Sequence, residues 1–319
     1  MEAEPNSLAE SVCLHFLREA QNADGGWGFH PGSESRAEGT CWALLALIEL
    51  AQTDDSETIR SGFRFLRAAQ LRDGSWPSTP GEQTGCWVTS LASWVLLADP
   101  DSPKAVAAGL DWICKDWPRD GTLWRRLLVR FSSDRHLSPI NMAYRGWGWT
   151  PGTASWVEPT AFALLTLQKC PQELLPRMAR HRRDLGEAML RDRMCPVGGW
   201  NCGNPRVYGV AGEALVMPTV WALLALRQQP EKRENSLSLA WLEGNIPHIS
   251  GAASLVLAQI CLASYGRKWP VGAPDLHDFI SRSEPPQNVQ VMAWASLASS
   301  TTRDWLRPKS KVGGILIDA

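Results

Sequence analysis

QNADGGW, from Gln21 to Trp27, and QLRDGSW, from Gln70 to Trp76, share the pattern Gln-x-x-x-Gly-x-Trp. Each is followed, after a polar loop, by an apolar segment with Cys-Trp near its start: TCWALLAL from Thr40 and GCWVTSLASW from Gly85. Self-similarity at a period of roughly 45 residues indicates an array of one supersecondary unit. The chain is therefore expected to have a repeat fold.

Aligning the chain with its own first unit gives six units, each consisting of an outer helix, a loop and an inner helix. The predicted outer helices are 8–21, 57–70, 104–116, 176–193, 236–243 and 276–283, and the inner ones 40–51, 85–97, 160–168, 219–227, 251–265 and 289–299. Inner segments such as ALLALIEL are apolar on every side, which is typical of buried helices, whereas outer ones such as SGFRFLRAAQ keep a charged face. The sequence therefore predicts one all-α domain over residues 1–319, an (α/α)6 toroid of six helical hairpins.

The repeated pattern makes structural sense at the end of an outer helix. Glycine can adopt a positive φ there and end the helix. We expect the tryptophan to pack across to the neighbouring hairpin and the glutamine to cap backbone groups of the loop or helix end. Most of the 17 Trp, against 3 Tyr and 7 Phe, are then structural.

The composition bears on partners and compartment. The formal net charge is −1, so no electrostatic attraction to nucleic acid is expected. No apolar run reaches about 18 residues, so no transmembrane segment is expected, while peripheral membrane contact stays open. The start MEAEPNSLAE lacks the apolar core of a secretion signal, and eight cysteines then indicate reduced thiols in a cytoplasmic protein. A basic run from Arg177 to Arg183 is interpreted as a solvated face of an outer helix.

The repeated motifs resemble the QW repeats of the terpene cyclase and prenyltransferase superfamily, in particular the squalene–hopene and oxidosqualene cyclases. The helix starts TCWALLAL, from Thr40, and TVWALLAL, from Thr219, are similar to the inner helices of that family. The resemblance covers essentially the whole chain and implies a toroid with a central apolar cavity. The chain has room for a single toroid, whereas the triterpene cyclases carry two.

The same resemblance indicates where an acid would lie. Class II cyclases protonate their substrate with an Asp-x-Asp-Asp motif just before a Thr-Ala helix start, and the matching residues here, ahead of Thr160, are Trp156-Val157-Glu158-Pro159. Glu158 stands in place of the central acid, and both flanking acids are missing. Glu158 is the predicted catalytic residue, on the hypothesis that Trp156 and Phe162 desolvate it and raise its pKa.

No metal site is predicted. The related prenyltransferase subunits hold zinc with Asp, Cys and a His at an inner-helix start, but the corresponding segment, Gly39 to Trp42, has no His. Cys195 and Cys202 share a loop without a nearby His. Acid-initiated cyclisation requires neither metal nor other cofactor, and we expect none.

Aromatic residues recur near the inner-helix starts and are the predicted substrate-binding residues, as a collar around one mouth of the cavity. With Trp156 ahead of the third inner helix, they are Trp42, Trp87, Phe162, Trp221 and Trp294. Such a collar suits a prenyl chain and stabilises a carbocation through the ring faces. The alternative is that the rings point sideways into helix packing. Glu38 and Glu213 also fall near inner-helix starts, where capping of free amides is the simpler interpretation.

Two connections, 117–158 and 194–218, are far longer than the others. Long insertions on one face of a repeat fold usually carry function, which favours a lid over the cavity rather than an elaboration without function. Their arginines could meet a diphosphate or another anion; they are Arg125, Arg126, Arg130, Arg135, Arg145 and Arg206.

The sequence as a whole favours a terpene-cyclase-like protein that encloses an isoprenoid or similar apolar small molecule. Its reaction, if it has one, is class II-type cyclisation, an isomerase or lyase reaction, started by a non-standard acid. The alternative is a non-catalytic toroid that serves as a scaffold or binds a lipid or peptide, which the missing Asp-x-Asp-Asp motif favours. A prenyltransferase subunit is disfavoured by the missing zinc ligands.

Overall fold

The computed structural model describes residues 5–50, 55–121, 140–207, 209–274, 287–300 and 304–306. Within these ranges lie eleven α-helices and one short antiparallel ribbon. The helices are α1 Pro5–Glu19, α2 Ala37–Glu49, α3 Ser56–Ala68, α4 Val88–Val95, α5 Pro103–Lys115, α6 Val157–Lys169, α7 Ala179–Asp192, α8 Val216–Leu226, α9 Arg233–Asn245, α10 Ala252–Ser264 and α11 Val289–Ser299. The ribbon pairs β1 Arg206–Val207 with β2 Val210–Ala211. The sixth outer helix, predicted at 276–283, lies outside the described residues.

Six apolar helices form a closed inner ring. Going round it, α2 packs against α4, α4 against α6, α6 against α8, α8 against α10, α10 against α11, and α11 against α2. The outer helices pack on the outside: α3 on α2, α5 on α4, α7 on α6, α9 on α8, and α1 on α11. The predicted (α/α)6 toroid is confirmed.

The outer helices do not pack chiefly on the inner helices with which the predicted hairpins pair them. Each outer helix from α3 to α9 packs chiefly on the inner helix that precedes it in the chain, and not on the one that follows. The connection into each of these outer helices is short, as from Glu49 to Ser56, and short connections make antiparallel neighbours. The long loops instead run from an outer helix to the next inner one.

Four buried tryptophans tie these long loops to the helices on both sides. Each indole N–H donates to a carbonyl near the end of the preceding outer helix, with N···O distances of 2.6–2.8 Å; the pairs are Trp27–Leu17, Trp76–Leu66, Trp147–Ile113 and Trp200–Leu190. Each backbone N–H donates to a threonine Oγ1 in the first turn of the next inner helix, or one turn into it, at 2.8–3.0 Å; the acceptors are Thr40, Thr89, Thr160 and Thr219. One tryptophan, through its side chain and its backbone, thus holds a loop, an outer helix and an inner helix together.

The glutamine of the repeated pattern caps backbone groups as predicted, but the glycine lies within the loop and does not end the helix, since α1 ends at Glu19 and α3 at Ala68. Gly25 and Gly74 have φ of 86° and 91°, in the left-handed region that favours glycine. Gln21 Nε2 donates to Gly25 O and to Thr58 O, both at 2.9 Å, so it caps its own loop and the start of α3. Gln70 repeats the arrangement with Gly74 and the following outer helix.

Glycines inside the outer helices form a second repeated feature, which the sequence analysis missed. A Cβ built on Gly62, Gly109 or Gly186 would approach the six-membered ring of the preceding repeat's tryptophan to 2.8–3.1 Å. Each of these glycines therefore leaves the space that a tryptophan ring occupies. Glycine is unfavourable in a helix interior, so its recurrence at one position was a usable signal.

The basic run at the start of α7 departs from the prediction. Arg177 and Arg180 are exposed, but Arg182 is fully buried, with its guanidinium 4.1 Å from the ring centre of Trp117 and 4.0 Å from that of Trp147. Trp117 follows Ile113 by four residues, just as Gln21 follows Leu17, so the third repeat lacks the usual glutamine. Arg182 donates to loop carbonyls in its place, and a solvated basic face is wrong for this residue.

Candidate functional site at the mouth of the inner ring

The tryptophan–threonine hydrogen bonds set a common register for the inner helices. The residue two positions before each threonine contributes its side chain to an upper layer. The residue two positions after the threonine contributes its side chain to a lower layer. Helix positions four apart share a face, so the two layers stack along the ring axis. α10 and α11 lack this threonine. In these two helices the second residue takes the upper-layer position, and the residue four positions later takes the lower-layer position.

The upper layer is called the rim and the lower one the plug. The rim consists of Glu38, Trp87, Glu158, Met217, Ala253 and Gln290, and all six are half-buried. The plug consists of Trp42, Leu91, Phe162, Trp221, Leu257 and Trp294, and none is more than 4% exposed. An accessible, mixed polar rim therefore lies over a buried apolar floor at the N-terminal ends of the inner helices.

The plug aromatics meet on the axis of the toroid. Trp42 and Trp221 come from opposite helices, α2 and α8, and their ring centroids are 5.5 Å apart. Phe162 lies 4.7 Å from Trp221, and Trp294 lies 5.4 Å from Trp42. The rings point neither outward around an open mouth nor sideways into helix packing; they form one aromatic cluster that fills the centre at this level.

Trp87 lies one layer higher than Trp42, with which the sequence analysis aligned it. The bond from Trp76 N–H to Thr89 makes Thr89 the counterpart of Thr40, which puts Trp87 in the rim at the position of Glu38. Its ring lies 4.8 Å from Phe162 and makes an edge contact with Trp149 at 5.4 Å. The shared Cys-Trp dipeptide misled the alignment, although Trp76–Thr89 has the same 13-residue spacing as Trp27–Thr40.

Glu38 is the rim residue that the sequence analysis undervalued. Its Oε1 accepts a hydrogen bond from Gln290 Nε2 at 3.3 Å, across the contact between α2 and α11. Burial raises the pKa of Glu38 to about 7, although the Trp42 indole, the Gln290 amide and the charge of Arg36 act in the opposite direction. A carboxyl with a pKa near 7 populates its protonated and its ionised form to a similar extent at neutral pH, which suits general acid–base chemistry.

Glu158, the predicted acid, also lies in the rim, in the first turn of α6. Burial raises its pKa, and no described residue donates a hydrogen bond to it. Phe162 lies below it in the plug, but Trp156, predicted to shield it, is 37% exposed. The rim thus carries two carboxyls in different surroundings, separated by the position of Trp87.

The two long connections meet beside Glu158. Val157 N–H donates to Cys202 O at 3.2 Å. Arg193, directly after α7, bridges the two connections, because its Nη1 donates to Gly203 O at 2.8 Å and its Nη2 lies 3.5 Å from Asp120 Oδ2. A cleft of about 480 Å³ opens between the connections, with Trp156 and Cys202 in its wall.

The structure places two of the six arginines noted in these connections. Arg145 stacks at 4.3 Å over the ring of Trp117, and Arg206 lies in β1. The other four, Arg125, Arg126, Arg130 and Arg135, lie outside the described residues.

The ranges that the structure describes bear on metal binding and on membrane crossing. Across those ranges, no three His, Cys, Asp or Glu side chains come together in a group able to hold a metal ion. None of the helices described is both long enough and apolar enough to cross a bilayer.

Known proteins provide a comparison for this geometry. Residues 2–90 match the family model of the squalene-hopene cyclase C-terminal domain. The fold is similar to that of type II terpene cyclase MstE from Scytonema in complex with its substrate, geranylgeranyl dihydroxybenzoate, with a TM-score of 0.54, 14% identity, and 94% of this chain and 97% of that one covered. The chain therefore has the same toroid fold as this cyclase.

Other toroids share this fold. A protein from Actinoplanes matches with a TM-score of 0.59 at 16% identity over 92% of this chain and 98% of that one. The α-1,6-mannanase GH76A of Salegentibacter sp. HEL1_6 matches with a TM-score of 0.59 at 10% identity over 95% and 100%. No curated protein matches the sequence. Since a mannanase shares the toroid, the fold alone does not decide the chemistry.

Proposed function

We propose that this terpene cyclase-like toroid binds an isoprenoid or a similar apolar chain at the mouth of the inner ring and cyclises it after protonation. One observation carries the proposal: two carboxyls with raised pKa values stand in the rim directly over a cluster of aromatic rings. This combination supports proton donation to an alkene and stabilisation of the cation that results.

The residues have distinct roles in this proposal. Glu158 is a catalytic carboxyl, as its position ahead of the Thr160 helix start suggests. The plug rings of Trp42, Phe162, Trp221 and Trp294 form the floor against which the apolar chain packs, with Trp87 beside it in the rim. Trp156 binds the part of the apolar ligand that extends toward the cleft. The two long connections on either side of this cleft act as a lid.

Turnover of polyprenes tests the proposal. The purified protein is incubated with squalene, geranylgeraniol and a geranylgeranyl arene, and products are identified by gas chromatography and mass spectrometry. We expect a cyclised isomer of one of these compounds, and a loss of about 100-fold or more in rate for Glu158→Gln. Glu57→Gln, on the exposed face of α3, is the matched control and keeps full turnover. Full turnover in Glu158→Gln removes Glu158 from the mechanism.

The lid has a test of its own. Trypsin cleavage after Arg206, in the exposed ribbon, is followed by a fluorescence titration with the polyprene that binds the intact protein. We expect cleavage to weaken binding, because the two connections contact one another beside Glu158. Unchanged affinity in the nicked protein counts against a lid.

A non-catalytic toroid that binds an apolar ligand is the second candidate. It is favoured by the contact between Trp42 and Trp221, whose ring centres are 5.5 Å apart across the axis and leave no opening at that level. Polyprene binding that quenches tryptophan fluorescence without any product after long incubation supports this candidate over the enzyme. Stoichiometric zinc in the purified protein supports a prenyltransferase subunit instead.

A further inference from the structure

We infer that Glu38, held by Gln290, is the carboxyl that donates the proton at the mouth, and that Glu158 is the carboxylate that faces the developing cation. The inference rests on the proposed function and divides its chemistry between two residues of the rim. It assigns the acid to the first inner helix, away from the position ahead of Thr160 that the resemblance indicates.

The surroundings of Glu38 hold its carboxyl in one orientation. Gln290 Nε2 donates to Oε1, so a proton on the carboxyl resides on Oε2. Trp42, four residues along α2, lies beneath on the same helix face and belongs to the plug. The carboxyl therefore lies one layer above the aromatic cluster, on which an apolar chain would pack.

The surroundings of Glu158 do not hold its carboxyl in one orientation. No described residue donates a hydrogen bond that would fix its carboxyl, and its neighbours Trp156 and Cys202 are exposed. Going round the ring, Trp87 lies between Glu158 and Glu38, and its ring packs on Phe162. A cation formed beside Glu38 thus has aromatic faces next to it and a second carboxylate beyond them.

The charged and titratable groups around Glu38 agree with its assignment as the proton donor. The charged and titratable groups that act on it or respond to it are Arg36 ahead of α2, Cys41 within α2 and Cys86 ahead of α4; α11 presents the uncharged amide of Gln290. Burial outweighs Arg36 and raises the pKa of Glu38 to about 7. Burial raises the pKa of Glu158 as well, so the two carboxyls are distinguished by the hydrogen bond from Gln290, which has no counterpart at Glu158 among the described residues.

The step balances without a further reactant. The alkene π pair takes the proton from Glu38 Oε2, which forms a C–H bond, leaves a carbocation on the more substituted carbon and leaves Glu38 as a carboxylate. A later alkene closes a C–C bond onto that carbon. The final cation loses a proton to the Glu158 carboxylate, which then releases it to solvent, and solvent returns a proton to Glu38, so both carboxyls are restored and the product is an isomer of the substrate.

Titration of the unliganded protein tests the assignment without turnover. With glutamate labelled by ¹³C at Cδ, NMR follows each carboxyl with pH. We expect one carboxyl to titrate near pH 7, to be lost in Glu38→Gln and to remain in Glu158→Gln. Gln290→Met removes the amide that stabilises the carboxylate, so the same signal should move to higher pH. A signal that survives in Glu38→Gln, or its absence from the wild type, overturns the assignment.

Kinetics provide the second test. We expect Glu38→Gln to lose about 100-fold or more in rate, the wild-type rate to fall as pH rises past about 7, and Gln290→Met to shift this fall to higher pH. Thermal melts that match the wild type verify that each variant is folded. Wild-type turnover in Glu38→Gln with an inactive Glu158→Gln overturns this inference and leaves the proposed function intact. No conversion of any polyprene by the wild type defeats the proposed function itself.

Discussion

Arg182 is fully buried and has aromatic faces on both sides in place of a carboxylate partner. Burial lowers its pKa to about 10, so the guanidinium stays charged at neutral pH. The charge is held by the rings of Trp117 and Trp147 and by the carbonyls of Asp116 and Gly146. This cluster replaces the glutamine that joins loop and helix in the first two repeats.

Arg182→Met tests the weight of that cluster. The substitution keeps the apolar stem, removes the cation–π contacts and leaves two carbonyls without a donor, so we expect the free energy of unfolding to fall by about 2 kcal/mol or more. Arg180→Met, an exposed neighbour in α7, should change it by less than about 0.5 kcal/mol. Urea denaturation measures both, and equal effects contradict a structural role for Arg182.

Glu38 gives the stability of the protein a pH dependence. Its pKa in the folded protein is about 7, above the ordinary value of 4.5, so the folded state binds the proton more tightly than the unfolded state. Its contribution to stability is fully present below pH 4.5 and is lost as the pH rises through 7. Relative to Glu38→Gln, the wild type should therefore lose about 2 kcal/mol of unfolding free energy between pH 5 and 8.

Glu57 provides a control of opposite sign. A hydrogen bond from Arg64 and its charge lower the pKa of this exposed carboxyl, so its contribution appears as pH rises and is lost on acidification below pH 4.5. Glu57→Gln should leave the slope between pH 5 and 8 unchanged. If Glu38→Gln leaves the change of unfolding free energy between pH 5 and 8 unaltered, another group titrates in this range.

The predicted catalytic and aromatic residues show how far a sequence leads at this scale. Glu158, Trp42, Phe162, Trp221 and Trp294 all lie in the two layers of the mouth, because the apolar helix pattern fixes which helix face points inward. Glu38 received only an amide-capping interpretation, because its contact with Gln290 joins residues 252 positions apart. No local pattern contains that contact.

At the scale of elements, the outer-helix glycines determine how closely a loop tryptophan can approach. A Cβ on Gly186 would lie 2.8 Å from the Trp147 ring and 3.2 Å from a Leu164 methyl, and both neighbours are fully or nearly fully buried. Neither can move aside without disturbing the packing of α6 against α7. This contact makes the glycine a requirement of the interface despite its cost to the helix.

Gly186→Ala should therefore destabilise the protein by about 1–3 kcal/mol, although alanine is the better helix former. Gly244→Ala in α9 is the matched control, because nothing lies within 4 Å of its Cβ position. That substitution should leave stability unchanged or raise it by up to about 1 kcal/mol. Stabilisation by both substitutions, seen in thermal and urea unfolding, contradicts the proposed packing.

Inner helices were predicted well and their starts less well. Uninterrupted apolar periodicity fixes the presence of α2, α6, α8, α10 and α11, whereas α4 was predicted from Gly85 and begins at Val88. Cys86 N–H donates to Trp76 O, which keeps this stretch paired with its loop and delays the helix. A helix start that depends on a hydrogen bond from a loop cannot be read from periodicity.

The whole molecule is a closed ring, in which every inner helix has two inner neighbours. Stability should therefore be shared round the ring, in contrast to an open array whose ends unfold separately. Asn288, the N-cap of α11, accepts a hydrogen bond from Val291 N–H at 3.0 Å, and α6 lies on the opposite side of the ring from α11. The cap is a convenient place to perturb the ring at a single helix end.

Asn288→Ala should cost about 1 kcal/mol, and amide exchange should report the same loss of protection in α6 as in α11. Gln83→Ala, in an exposed loop, should alter neither. Lost protection confined to α11 would mean that the ring opens at its seam without unfolding as a unit.

Closure has a consequence for synthesis of the protein. Glu38 and Gln290 meet across 252 positions of sequence, where the first and last inner helices come together. A ribosome that has completed five of the six inner helices has therefore produced a chain without the partner of its candidate acid. The proposed chemistry at the mouth would then begin only after α11 has emerged and docked, so premature termination before α11 should yield chains that expose the α1 and α2 surfaces and lack the proposed activity.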